Sequence, residues 1–189
     1  HSLMPCCQQS DGSFLLPLTF VLAIAGAISK RPPVESGIPI HPILFPIHVS
    51  SAMAGEVVFA ISFILGLMYL IERRYLKKKT ITPLVYKLPS LEILDESNDR
   101  AIQIGFLLLS IGIVSGSMWF FSALGKFWLW DPKTIFTLAT LGYYALALLL
   151  RVIWGIRGRA MAILAVIGFM VVMFTFVGVN LLFKGVHGF

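Results

Sequence analysis

Charged side chains are scarce in this 189-residue chain. Asp, Glu, Lys and Arg make up 13% of it, against 58% hydrophobic residues and a mean hydropathy of +0.89. A soluble domain of this length cannot hide so much apolar surface, whereas a bilayer accommodates it directly. Cysteine is nearly absent, and its two copies, Cys6 and Cys7, are adjacent instead of spaced as CxxC or CxxCH. That spacing argues against a redox dithiol and against a covalent haem-attachment motif, and leaves ordinary thiols in a terminal segment. Basic residues outnumber acidic ones by 15 to 9, yet the net charge of +6 does not point to nucleic acid. The bases sit mostly at the ends of apolar runs, where they set membrane topology. Strand-like alternation and internal repeats are also lacking, so helices are the expected element. The sequence opens at His1 instead of Met, and further residues are expected upstream.

Five apolar segments are present, at about Ser13–Ser29, His48–Ile71, Ala101–Ala123, Ile135–Trp154 and Ala160–Phe183. Each approaches the roughly 20 residues that cross a hydrocarbon core as a helix. The first is the shortest and is interrupted by Pro17; Pro46 suits the first turn of the second. The expected fold is an all-α, polytopic integral membrane bundle of about five helices. Residues 1–47 form an N-terminal segment with the first span and an outer loop, and residues 48–189 form the main membrane domain.

Lysine and arginine placement gives the orientation. With the loop from Glu72 to Arg100 inside, that side holds Arg73, Arg74, Lys77, Lys78, Lys79, Lys87 and Arg100, joined by Arg151, Arg157 and Arg159 after the fourth span. The other face keeps Lys30, Arg31, Lys126, Lys133 and Lys184. Ten basic residues against five favours this orientation under the positive-inside rule. It brings His48, the segment Gly125–Thr134 (GKFWLWDPKT) and His187 to the same outer face.

Lipid packing does not call for that segment. Tryptophans at this depth commonly anchor helices in the headgroup region, but such a belt does not require WxWDPK between two spans. A flat aromatic surface beside a few charges suits a planar amphiphile, and haem is the natural candidate. Neutral imidazole is a good axial ligand, and His48 and His187 together would fill both axial positions on the iron. Trp119, Phe127, Trp128 and Trp130 offer apolar contact to the porphyrin, and Lys126 and Lys133 are the nearest cations for its propionates. Asp131 before Pro132 reads as the cap of the fourth span.

Four stretches in order resemble the cytochrome c assembly family, the haem-handling membrane proteins that include the CcsA/ResC, CcmC and HemX groups. WLWDPK at 128–133 is similar to the core of the family's tryptophan-rich WWD segment, and HVSSAMAGEVVFAISFILGLMYL from His48 to its first ligand helix. LPSLEILDE at 88–96 is similar to the cytoplasmic loop of the CcsA and HemX branch, and GFMVVMFTFVGVNLL followed by His187 to its last span and second ligand. The resemblance covers about three quarters of the chain. It implies that His48 and His187 ligate one haem b on the outer face of the cell's inner membrane, with Trp119, Trp128, Trp130 and Asp131 as its platform. It further implies an exposed haem edge, so that an apocytochrome CxxCH reaches the vinyl groups.

Three positions depart from the family pattern. Thr134 stands where glutamate usually follows WDPK, Leu124 where a further tryptophan is common, and Leu149 where CcsA-type proteins carry a transmembrane histidine. The expected role is a haem chaperone or haem-binding subunit of cytochrome c biogenesis in place of a stand-alone enzyme. Its partners would be haem, apocytochrome c or other membrane cytochrome subunits, and the bilayer. Two alternatives are a HemX-like regulator of tetrapyrrole synthesis and a b-type haem subunit for electron transfer in a respiratory complex. Glu56, roughly 12 Å into the second span, is a costly carboxyl suited to a cation, a proton relay or a quinol. Asn180 suits an interhelical hydrogen bond, and His41, cut off from His48 by prolines, reads as a loop residue.

Overall fold

A computed structural model of the chain describes residues 41–78, 89–125 and 132–175, for 132 and 133 the backbone only. All regular structure in these residues is helical: α1 (Leu44–Lys77), α2 (Leu91–Leu124), α3 (Pro132–Trp154) and α4 (Arg159–Met173). The first three are long and apolar enough to cross a membrane, which makes this a multi-pass membrane protein. The segment expected at Ser13–Ser29 lies outside the described residues, as does the last expected span beyond Thr175.

The start of α1 is settled by an accounting of backbone donors. His41 Nδ1 accepts from the amides of Ile43 and Leu44 at 3.3 and 3.2 Å. The amide of Phe45 donates to the His41 carbonyl and that of Ile47 to the Ile43 carbonyl, while Pro46 has no amide to satisfy. The helix therefore opens four residues before the expected start, and His48 lies in its second turn. At the far end, Ser90 caps α2 by accepting from the Ile93 amide. Gly125 closes α2 at φ 65, with its amide on the Phe121 carbonyl.

At 34 residues each, α1 and α2 are about 51 Å long, well beyond a hydrocarbon core of about 30 Å. The excess carries their charged ends, Glu72–Lys77 and Glu92–Arg100, out of the apolar layer as continued helix. The two helices run antiparallel along a seam of small residues. Gly55 meets the backbone of Gly105 and Leu109, Gly112 meets Ala52, and Gly105 lies under the Phe59 ring. Hydrophobic burial does not drive helices together in lipid, so close backbone approach and dispersion hold such a seam. A buried hydrogen bond from Ser62 to Asn98 Oδ1, 2.8 Å, fixes its register nearer the basic end.

The remaining helices lean on α1. Gly66 admits α4 at Ala162 and Ala165. Phe59 stacks on Tyr144 of α3 with ring centroids 3.8 Å apart and planes within 6°, and both residues are wholly buried. Gly168 of α4 leaves room for the Tyr143 and Tyr144 rings, and the Tyr143 hydroxyl donates to the Leu164 carbonyl. Arg151, near the end of α3, pairs with Asp95 at 3.3 Å and Asp99 at 2.8 Å on α2, all three about 15% exposed. Asp95 also accepts the Gly158 amide in the turn before α4. Two helices and the turn into a third are thus tied together at one end of the bundle.

Candidate functional site

His48 is the one expected iron ligand among the described residues, and its surroundings decide which ring nitrogen it can offer. Its half-buried ring crosses from α1 to α2, where Nδ1 lies 2.7 Å from the Gly112 carbonyl. A carbonyl only accepts, so Nδ1 carries the proton and donates it. In the neutral ring the lone pair then belongs to Nε2, the arrangement seen in metal-ligating histidines whose other nitrogen bonds a carbonyl.

The ring fits because α2 is bare beneath it. A Cβ on Gly116 would lie 2.6 Å from His48 Nδ1, so only glycine lets the imidazole settle against the helix. Gly112 and Gly116 form a GxxxG pair one turn apart, one presenting the carbonyl and the other the space. Trp119 follows on the same face, its ring centroid 6.3 Å from that of His48. Phe45 meets Trp119 edge-on at 5.0 Å and Phe120 packs beside it at 5.1 Å. Trp119 is thereby 7% exposed and forms an aromatic wall behind the histidine.

Below this level lies a narrow crevice lined by residues of all four helices. Glu56, Thr137, Thr140 and Thr175 line it together with the apolar Phe59, Leu109 and Val172. Thr140 and Thr175 face each other at 3.4 Å, and each hydroxyl also bonds the carbonyl four residues earlier, at Phe136 and Val171. The Glu56 carboxyl therefore shares its depth with hydroxyl groups from two other helices.

The structure brings together His48 and Trp119 of the expected site. Lys126, Trp128, Trp130, Asp131 and His187, and the side chain of Lys133, lie outside the described residues, as does Asn180. α3 does begin at Pro132, where proline at the first helical position is favoured. His41 caps α1. Leu149 and Leu124 are exposed, on α3 and at the end of α2. Sequence reasoning missed Phe45, Gly112 and Gly116. The GxxxG spacing within an apolar helix was the available signal for the two glycines.

A family model described as cytochrome C assembly protein matches residues 13–187. The chain belongs to the cytochrome c assembly family. Among its relatives is the cytochrome c biogenesis protein CcsA of Chlamydomonas reinhardtii, 32% identical over 186 residues, which are 96% of this chain and 52% of that protein. The CcsA protein of Crocosphaera subtropica is 41% identical over 120 residues, 64% of this chain and 36% of its own. That of Mesostigma viride is 44% identical over 98 residues, 52% of this chain and 32% of its own. The chain thus spans about half the length of these family members or less.

Proposed function

We propose that this chain is the haem-holding membrane part of a cytochrome c biogenesis protein, with His48 as one axial ligand through Nε2. The observation that carries the reading is the hydrogen bond from His48 Nδ1 to the Gly112 carbonyl. It orients the imidazole, sets its tautomer and directs the lone pair to the other nitrogen. The buried Trp119 beside it fits an apolar, planar ligand, and the named relatives are cytochrome c biogenesis proteins. Those names favour biogenesis over the alternatives of a tetrapyrrole regulator and an electron-transfer subunit.

In this reading His187 is the second axial ligand. Trp128, Trp130 and Asp131 complete the platform, and Lys126 and Lys133 receive the propionates. The group in this reading is haem b held without covalent attachment, in keeping with the adjacent Cys6 and Cys7, which form no CxxCH. Haem would bring the vinyl groups to which an apocytochrome's thiols add. This chain's residues hold and orient: Gly112 and Gly116 fix the His48 ring, and Phe45 and Trp119 exclude water from its inner side. The site faces the outer side of the membrane, the less basic one, and apocytochrome c is the partner it serves.

The optical spectrum of the purified protein tests this. A low-spin bis-histidine spectrum is expected, lost in both His48→Ala and His187→Ala, together with loss of c-type cytochromes in cells. A spectrum unchanged in His48→Ala would remove the residue from the iron and the reading with it.

A further inference from the structure

At the opposite, more basic end of the bundle, the end of α1 and the turn into α4 enclose an open cavity of about 670 Å³. Its wall carries Tyr69 and Arg73 from α1, and Arg157, Arg159 and Ile163 around the start of α4. None of its lining residues is acidic. Three nearby carboxylates are committed elsewhere: Asp95 and Asp99 hold Arg151, Asp95 also takes the Gly158 amide, and Glu96 holds Arg100, while Glu72, beside Arg73 in the chain, is buried and does not line the cavity. Asp99 feels the charge of Arg157, but no ion pair to Arg73, Arg157 or Arg159 occurs among the described residues. Three arginines therefore line one cavity at a membrane boundary, with no acidic residue in its wall and no ion pair of their own among the described residues.

The turn builds this cavity. Gly158 adopts φ 64, and a Cβ there would lie 2.5 Å from the Tyr69 hydroxyl, so the tyrosine closes over the turn only because residue 158 is glycine. Gly158 is also the cap of α4 and supplies no side-chain acceptor, which leaves the first-turn amides of α4 facing the arginines' side with their partial positive charge. From Ala160 an apolar ridge runs along α4 away from the cavity: Ile163, then Ile167, Met170 and Phe174, the last three 45–57% exposed. Those spacings keep the ridge on one helix face.

We propose that this end of the bundle binds an anionic phospholipid. Its phosphate sits among Arg73, Arg157 and Arg159, and an acyl chain lies along the Ile163–Phe174 ridge of α4. Guanidinium groups pair with phosphate through two parallel hydrogen bonds, which an ammonium does not reproduce. Basic pockets at helix ends on the positively charged side of a membrane are suited to such headgroups. The apolar ridge continuous with the cation cluster favours a lipid over a free anion. The proposal is independent of haem binding at the other end.

The full protein in detergent micelles, doped with phosphatidylglycerol or with phosphatidylcholine, provides the test, with bound lipid read by native mass spectrometry. Preferential retention of phosphatidylglycerol is expected, and Arg157→Gln/Arg159→Gln should weaken it about tenfold or more while leaving phosphatidylcholine unchanged. Arg157→Lys/Arg159→Lys should fall between, because it keeps charge and loses the fork. Equal retention of the two lipids by the unsubstituted protein overturns the proposal, and that measurement needs no variant to fold. Displacement of phosphatidylglycerol by excess inorganic phosphate alone also overturns it, in favour of a simple anion site.

Discussion

The imidazole of His48 donates to the carbonyl of Gly112, 64 residues later, at 2.7 Å. One hydrogen bond thus joins the first two helices of the described bundle and divides the histidine's two nitrogens: Nδ1 carries the proton for Gly112, and the lone pair of the neutral ring is on Nε2.

The first prediction is drawn from the glycine under that ring. Gly116→Ala would set a Cβ 2.6 Å from Nδ1, so the ring must shift and the bond to Gly112 must stretch. Loss of the orienting bond should weaken haem binding about 10- to 100-fold, with a stability change of only about 1 kcal/mol. Haem titration alongside unfolding in detergent separates the two effects. Unchanged haem affinity would show that the orientation of His48 does not matter to the ligand.

Arg151 offers a sharper stability test. It answers two largely buried carboxylates, Asp95 and Asp99. Truncation to alanine leaves both without their counter-charge, and removing one partner of a buried ion cluster costs about 3–5 kcal/mol. Arg151→Ala should therefore unfold at markedly lower denaturant. Replacing the exposed Arg100, paired with Glu96 on the same helix, should cost at most about 0.5 kcal/mol. Denaturant midpoints of the two variants give the comparison directly.

Tyr144 makes the opposite case. It is wholly buried against Phe59, and its hydroxyl has no hydrogen-bond partner among the described residues. Tyr144→Phe keeps the stack and removes a buried, unsatisfied polar group, so stability should stay level or rise by about 1 kcal/mol. Tyr144→Ala should lose about 3–5 kcal/mol through the cavity it opens. A strongly destabilised phenylalanine variant would mean that the hydroxyl is satisfied after all.

The fourth concerns the seam. A Cβ on Gly105 would lie 2.7 Å from the Phe59 ring, which is pinned from its other face by Tyr144. Gly105→Ala should therefore cost about 1–3 kcal/mol by overpacking, whereas Gly142→Ala, with nothing within 4 Å of the added carbon, should be neutral or better. Unfolding of the pair in micelles checks the contrast.

Much of this was legible in the residues. Apolar runs located α1, α2 and α3, because a helix in lipid must satisfy its own backbone and needs a fixed length of apolar side chains to do so. Both ends of α1 and the starts of α2 and α3 were placed too far inward, while the end of α3 at Trp154 was met. The helix continues through Glu72–Lys77 and Leu91–Arg100, where capping by Ser90 and same-helix pairs such as Glu96–Arg100 sustain it outside the apolar layer. At the start of α1, a histidine cap moved the boundary from His48 to Leu44. The likeness to the cytochrome c assembly family was readable from motif order, and the family match agrees with it.

Composition alone determined that this chain belongs in a bilayer as a set of helices, because apolar content and span length are local properties of the sequence. Which partner each polar group found was decided only by the tertiary structure. Arg151 reads as one more topology-setting cation until α2 brings Asp95 and Asp99 to it. His48 reads as an interfacial histidine until Gly112 and Gly116 give it a carbonyl and a place to lie. Such pairings depend on the register between helices, and that register is set where small residues let two backbones approach, a property no single segment carries.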